Sequence, residues 1–146
     1  MKTILILDDD SSIVEIITGF LYDQFKNQVE LYGTTDPEIA LGITDSCFID
    51  IAILDMKMPN IDGYSLLKLM NGQVKTAIFI TGHPDWLTEI PHESIYQTLE
   101  KPVPPKKLGE TVKRAMLVSE EIDGEIKRML EEIITQLEIT RAYCAG

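Results

Sequence analysis

Three aspartates in immediate succession, Asp8, Asp9 and Asp10, follow the apolar residues 4–7 in the opening segment MKTILILDDDSS. Carboxylates about 4 Å apart repel by about 4 kcal/mol at an effective dielectric of about 20, so such a cluster is costly unless something offsets it. Further along, Asp55 follows the apolar run "DIAIL", Thr81 follows "TAIFI", and Lys101 stands just after the run at 94–99. Acids, a hydroxyl and an amine gathered on one rim share a chemistry. Carboxylates prefer a hard cation such as Mg²⁺, which takes oxygen ligands and keeps several waters. The cation neutralises phosphate oxygens, while a hydroxyl and a lysine hold the remaining oxygens of a phosphoryl group in transfer. The combination is one for receiving a phosphoryl group.

These residues can act together only if the fold brings them together. Five apolar runs recur along the chain: "TILIL" (3–7), "QVELY" (28–32), "DIAIL" (50–54), "TAIFI" (76–80) and "SIYQTL" (94–99). Runs that are apolar throughout, rather than alternating, suit strands covered on both faces. Helical patterns lie between them. Ile13, Ile16, Ile17, Phe20 and Leu21 recur at helical spacing after Ser11 and Ser12, which are good N-cap types. Asp36 followed by Pro37 marks a second helix start, and "GYSLLKLM" reads as a third helix. Parallel neighbours need helical crossovers, so the alternation predicts a doubly wound α/β fold with a five-stranded parallel sheet and flanking helices. Ligands in such sheets bind beyond the carboxyl ends of the strands, which is where Asp8, Asp9, Asp55, Thr81 and Lys101 stand.

The chain has 146 residues, enough for one ordinary domain with an appendage, and a net charge of −11. That charge argues against general affinity for nucleic acid phosphates. No apolar run approaches the roughly 20 residues of a membrane span. The four-residue apolar start is too short for the core of a secretory leader, so the expected location is the cytoplasm. Cys47 and Cys144 lie far apart with no CxxC and no histidine cluster, and they are read as reduced thiols.

In order, "ILILDDDSS", "ILDMKMPNIDG", "IFITG" and "EKP" resemble the receiver domain of two-component response regulators, over residues 1 to about 118. The resemblance implies a flavodoxin-like receiver fold and a phosphorylation-dependent signalling switch rather than an enzyme, with self-dephosphorylation as a side activity. Its motifs place the phosphoacceptor at Asp55, the Mg²⁺-binding acidic pair at Asp8 and Asp9, the switch hydroxyl at Thr81 and the phosphoryl-contacting lysine at Lys101. They also imply that the backbone carbonyl of Lys57 is a metal ligand. A histidine kinase or phosphotransfer protein is the implied donor, and a downstream effector the implied target. Asp10 is read as a helix-start residue, Pro59 and Gly63 as shapers of the loop carrying Asp55, and His83 as a loop residue near the pocket.

The chain departs from the family where receivers usually carry Tyr or Phe three residues before the lysine. That position is Thr98 here, with Tyr96 two residues earlier on the same face of the strand, so the usual aromatic switch is in question. Pro84 and Pro91 predict a short or irregular fourth helix. After residue 118 the chain offers an amphipathic helix, in which Ile122, Ile126, Met129, Leu130, Ile133 and Leu137 recur at three- and four-residue steps. Asp123-Gly124 is a candidate interruption. Residues 119–146 are thus a helical extension or the start of a linker; docking on its own receiver is one way to bury the stripe, and pairing with a second copy, the simpler one, predicts a homodimer. Two other functional readings compete: a haloacid dehalogenase-type Mg²⁺-dependent phosphohydrolase, with Asp8 as nucleophile, Asp10 as acid, and Thr81 and Lys101 in its later motifs, for whose acidic pair the chain offers only Glu110 and which leaves Asp55 unexplained, and a degenerate receiver acting only as a binding module.

Overall fold

The computed structural model describes residues 1–70, 72–90 and 96–145. Five strands, β1 (Lys2–Leu7), β2 (Val29–Thr34), β3 (Ile49–Asp55), β4 (Val74–Thr81) and β5 (Tyr96–Glu100), form one parallel sheet in the order β2-β1-β3-β4-β5. Helices α1 (Ser11–Phe25), α2 (Pro37–Ser46), α3 (Gly63–Leu69) and α4 (Pro105–Ala145) complete the fold. This is the expected doubly wound α/β architecture. The residues called for a strand at 94 and 95 lie outside the described residues.

Strand alternation explains why the runs are apolar throughout. Ile4, Ile6, Ile51, Ile53, Ile78, Ile80 and Leu99 point to one face, where they pack with α1 and α4. Leu5, Leu7, Ala52, Leu54 and Phe79 point to the other, under α2 and α3. Along the buried lengths of the inner strands β1, β3 and β4 neither face meets water, so neither tolerates a polar period.

The three α-helical crossovers are each started by an aspartate. The Asp10 carboxylate accepts a hydrogen bond from the Ser12 amide at 2.9 Å, and Asp36 caps α2 through the Glu38 amide at 2.9 Å. Ser11 and Ser12, good cap types by composition, instead fall within the first turn of α1. In α3, Asp62 accepts from both the amide and the hydroxyl of Ser65 at 2.8 Å. The expected irregular fourth helix is a short 3-10 segment, Pro84–Glu89, whose first-turn proline gives up an amide that would have lacked a partner anyway.

The chain leaves β1 for the sheet edge at β2 and returns on the other side at β3. The winding reverses between β1 and β3, and a crevice opens above their carboxyl ends. From the same rim α4 descends along the sheet. It is continuous through Asp123 and Gly124, so the candidate interruption does not occur. One glycine costs a helix interior about 1 kcal/mol relative to alanine. The long helix and its contacts outweigh that. Asp123 lies where α4 passes the opposite edge of the sheet, with its carboxylate 2.6 Å from Lys75 Nζ and 3.7 Å from Lys2 Nζ. Lys75 also holds Asp50 at 2.8 Å, and Asp50 accepts from the Thr3 amide at 2.8 Å. Beyond this clamp, α4 projects clear of the sheet.

Candidate functional site

Asp8 stands immediately after β1, an inner strand of the sheet, and is almost fully buried. Its Oδ1 accepts from the Asp10 amide at 2.9 Å, which fixes the carboxylate over the turn into α1. Its Oδ2 faces Lys101 Nζ at 2.6 Å. Asp55 is the last residue of β3 and equally buried, with Lys101 Nζ 3.4 Å from its Oδ2 and the Lys57 amide 3.2 Å from its Oδ1. Asp9 is exposed on the rim above them. Oxygens of Asp8, Asp9 and Asp55 all lie within 4.8 Å of one another.

The loop after Asp55 is shaped by close approach. The Met56 amide donates to the Ile80 carbonyl at 2.9 Å, and the Gly63 amide to the Met56 carbonyl at 3.3 Å. A Cβ at Gly63 would stand 2.6 Å from the Asp55 carbonyl oxygen, so only glycine lets α3 begin this close to Asp55. Asn60 takes the left-handed conformation, with φ 74°, that turns the chain over the crevice. Lys101 is seated by its own backbone, whose amide donates to the Thr81 carbonyl at 2.8 Å. That tie places residues 81 and 101 side by side.

Thr81 is fully buried at the end of β4. Its Oγ1 accepts from the His83 amide at 3.0 Å, a local turn that ties the hydroxyl to the following loop. The exposed His83 ring lies beside Lys57, with Nε2 3.4 Å from Nζ. Tyr96 packs edge-on against Phe79, ring centroids 5.8 Å apart, on the α3 side of the sheet. Thr98 lies on the same face but is exposed.

Charge decides what the pocket wants. Burial, and next the neighbouring charge of Asp8, push the Asp55 carboxyl up to about 7, although Lys101 pulls the other way. Burial would lower the Lys101 ammonium, but its hydrogen bond to Asp8 and the charge of Asp55 outweigh that and hold it above the usual lysine value. Three carboxylates gather here and two of them share one lysine, so the pocket carries surplus negative charge in a hard-oxygen setting. That donor set fits a divalent cation with oxygen ligands. Asp10, by contrast, spends its carboxylate on the Ser12 amide, which removes the acid that the phosphohydrolase reading required.

Sequence reasoning missed the acids and bases at the far edge of the sheet. Lys75 and Asp50 are isolated charges in the sequence, and nothing local links either to Asp123 on α4. The alternation of "DIAIL" does predict that residues 50 and 52 share a face, but their partners come from other strands and from α4.

Comparison with known proteins agrees with this geometry. The profile of the response regulator receiver domain matches residues 4–113. An uncharacterized response regulatory protein of Vibrio parahaemolyticus is 29% identical over 117 residues, covering 78% of this chain and 47% of that protein. The response regulator SaeR of Staphylococcus aureus is 32% identical, over 74% of this chain and 47% of that protein. The chain thus spans about half the length of these curated relatives. Among solved structures, the signal receiver domain of an HD domain-containing protein from Pseudomonas fluorescens superposes with a TM-score of 0.74 at 25% identity, covering 84% of this chain and 92% of that one. With five parallel strands in this order, an acidic crevice at the point where the winding reverses and a profile match across most of its length, the chain belongs to the response regulator receiver domain family, whose members serve phosphorylation-based signalling in two-component systems.

Proposed function

We propose that the protein is a working phosphoacceptor switch in which Asp55 takes a phosphoryl group from a histidine kinase or phosphotransfer protein. The observation that carries this reading is the placement of Lys101 Nζ between Asp8 and Asp55, at 2.6 and 3.4 Å, beside a third carboxylate that completes a cation site. A receiver used only for binding has no need to keep this set, whose mutual repulsion costs stability. An oxygen of Asp55 attacks the phosphorus of the donor. The new O–P bond forms as the donor's P–N bond breaks, and the imidazole nitrogen leaves with the electron pair. Asp8, Asp9 and Asp55, with the Lys57 carbonyl that the family resemblance adds, would hold Mg²⁺, which supplies positive charge to the phosphoryl oxygens. Lys101 is near enough to Asp55 to pair with an oxygen of the product acyl phosphate.

Thr81 gives the switch its moving part. Its hydroxyl is engaged with the His83 amide, so turning toward a phosphoryl group on Asp55 gives up that bond and frees the loop that follows. Tyr96 is half-buried against Phe79 and is the available aromatic on β5, while Thr98 has no ring to turn inward. Loop release at Thr81 therefore carries more of the conformational signal than an aromatic rotation at residue 98.

Residues 1–118 act as the receiver and 119–146 as an extension through which two copies associate. On the extension, Ile126, Met129, Leu130, Ile133 and Leu137 are each about half exposed or more, and fully burying such a side chain is worth roughly 1.5 to 3 kcal/mol. The net charge of −11 disfavours nucleic acid as the partner of this chain. Among the described residues no helix is long and apolar enough to cross a membrane, and the cytoplasm, where histidine kinases present their phosphoryl groups, is the proposed location.

Incubation with acetyl phosphate and Mg²⁺, followed by intact-mass measurement, tests the reading. One added phosphate is expected, mapped to residue 55 and absent from Asp55→Asn. An unmodified parent would leave only a binding module.

A further inference from the structure

The face of α4 that packs on the receiver carries Leu108, Thr111, Val112, Ala115 and Ser119, all buried. Ile126, Met129, Leu130, Ile133 and Leu137 follow each of these by 18 positions, which is five whole turns at 3.6 residues per turn. The bare stripe is therefore the same face of the same helix, continued past the edge of the sheet. Ile126 is 48% exposed and Leu137 64%, so nothing among the described residues covers the stripe. Because α4 is unbroken through Gly124, the tail cannot turn back to cover itself.

We propose that the cover is the tail of a second copy running antiparallel, so that each tail lies beneath the other's sheet. This rests on the dimeric reading above and fixes its geometry. A parallel pair would place its twofold axis along the seam, with helix axes 8–10 Å apart. Each chain's own receiver already stands on that side of its helix, above the clamp formed by Asp123, Lys75 and Lys2. Two receivers cannot share that space. An antiparallel pair sends them to opposite ends and leaves the space beneath each sheet for the incoming tail.

The receiver edge that would meet that tail is itself apolar in two places. Met1 precedes β1 and Phe48 precedes β3, and they are 80% and 67% exposed. Tyr143, near the end of the tail, is 84% exposed. In the antiparallel arrangement Ile133 meets Leu137 of the second copy near the axis, and the two Cys144 residues lie at opposite ends of the paired segment.

Sedimentation equilibrium on the full chain, followed by pulsed electron spin resonance with a nitroxide on Cys144 in a Cys47→Ser background, tests the proposal. A dimer with a nitroxide separation of about 30 Å is expected, from 1.5 Å of rise per residue along the paired helices. A dimer with a separation below about 15 Å would overturn the antiparallel arrangement while keeping the dimer. A monomer at all concentrations would overturn the dimeric reading itself. Leu130→Asp, at an exposed position, is expected to weaken dimerisation more than tenfold and abolish the dipolar signal. Persistence of the same distance in that variant would place the contact elsewhere and overturn the proposal.

Discussion

The two ends of the sheet hold similar residues in different proportions. At the carboxyl end, Asp8 and Asp55 share Lys101 beside a third acid, Asp9; at the amino end, Asp50 and Asp123 share Lys75 and Lys2. The balanced cluster is satisfied as it stands. Burial would raise Asp50, but the hydrogen bond from Lys75 and the Thr3 amide outweigh it, and its carboxyl lies below the usual range. The unbalanced cluster is not satisfied, and Asp55 is pushed up to about 7. The difference teaches how to tell a clamp from a site: a clamp closes its own electrostatics, and a site leaves them open for a ligand.

The largest effect expected from this contrast is on metal response. Mg²⁺ at 100 times its dissociation constant should stabilise the parent by about 2.7 kcal/mol, the mass-action value for a ligand bound only by the folded state. Asp9→Asn should raise the melting temperature in metal-free buffer and lose most of the Mg²⁺ increment. Asp50→Asn should keep the increment. Equal Mg²⁺ stabilisation in parent and Asp9→Asn would erase the distinction between the two ends.

A smaller effect concerns pH. A carboxyl whose folded value is raised binds its proton more tightly when folded, so the unfolded chain ionises first. Stability is then lost as pH rises from about 4 toward 7. In EDTA, the parent should melt about 4 °C lower at pH 7.5 than at pH 5 relative to Asp55→Asn, roughly what 1 kcal/mol does in a domain of this size. A parallel profile in the two proteins would remove Asp55 as the strained group.

The smallest effect is at the amino end. Asp123→Asn leaves a partly exposed clamp with one acid fewer, and a loss of no more than about 1 kcal/mol is expected in urea unfolding. Lys75→Met should cost more, because Asp50 is the more buried partner and loses its cation. The reverse order would show that α4, rather than β3, is what Lys75 holds in place.

Much of the carboxyl end was legible in the sequence because each residue there sits one or two steps past an apolar run. A parallel sheet then brings such steps to one rim whatever lies between them. The gathering of Asp8, Asp9, Asp55, Thr81 and Lys101 on one rim could be read from that rule. The amino end was not legible, since Asp50, Lys75 and Asp123 come from three elements whose register appears only once the strands are paired. The bond between Thr81 and the His83 amide depends on a loop conformation that residue types do not encode. At Gly124 local propensity and tertiary context disagreed. The candidate break does not form because the helix there is anchored on its receiver side by the Asp123 contacts, and a cost of about 1 kcal/mol is small beside a continuous ladder of backbone hydrogen bonds.

That continuity makes α4 a shaft with a fixed phase. One residue inserted after Gly124 would rotate everything beyond it by 100°, carrying Ile126, Leu130 and Leu137 from beneath the sheet toward its flank, while four inserted residues would nearly restore the angle and lengthen the shaft by about 6 Å. The direction in which the tail offers its apolar edge is thus set by residue count alone, like the index of a gear, and chains differing there by one or two residues would present incompatible edges to each other.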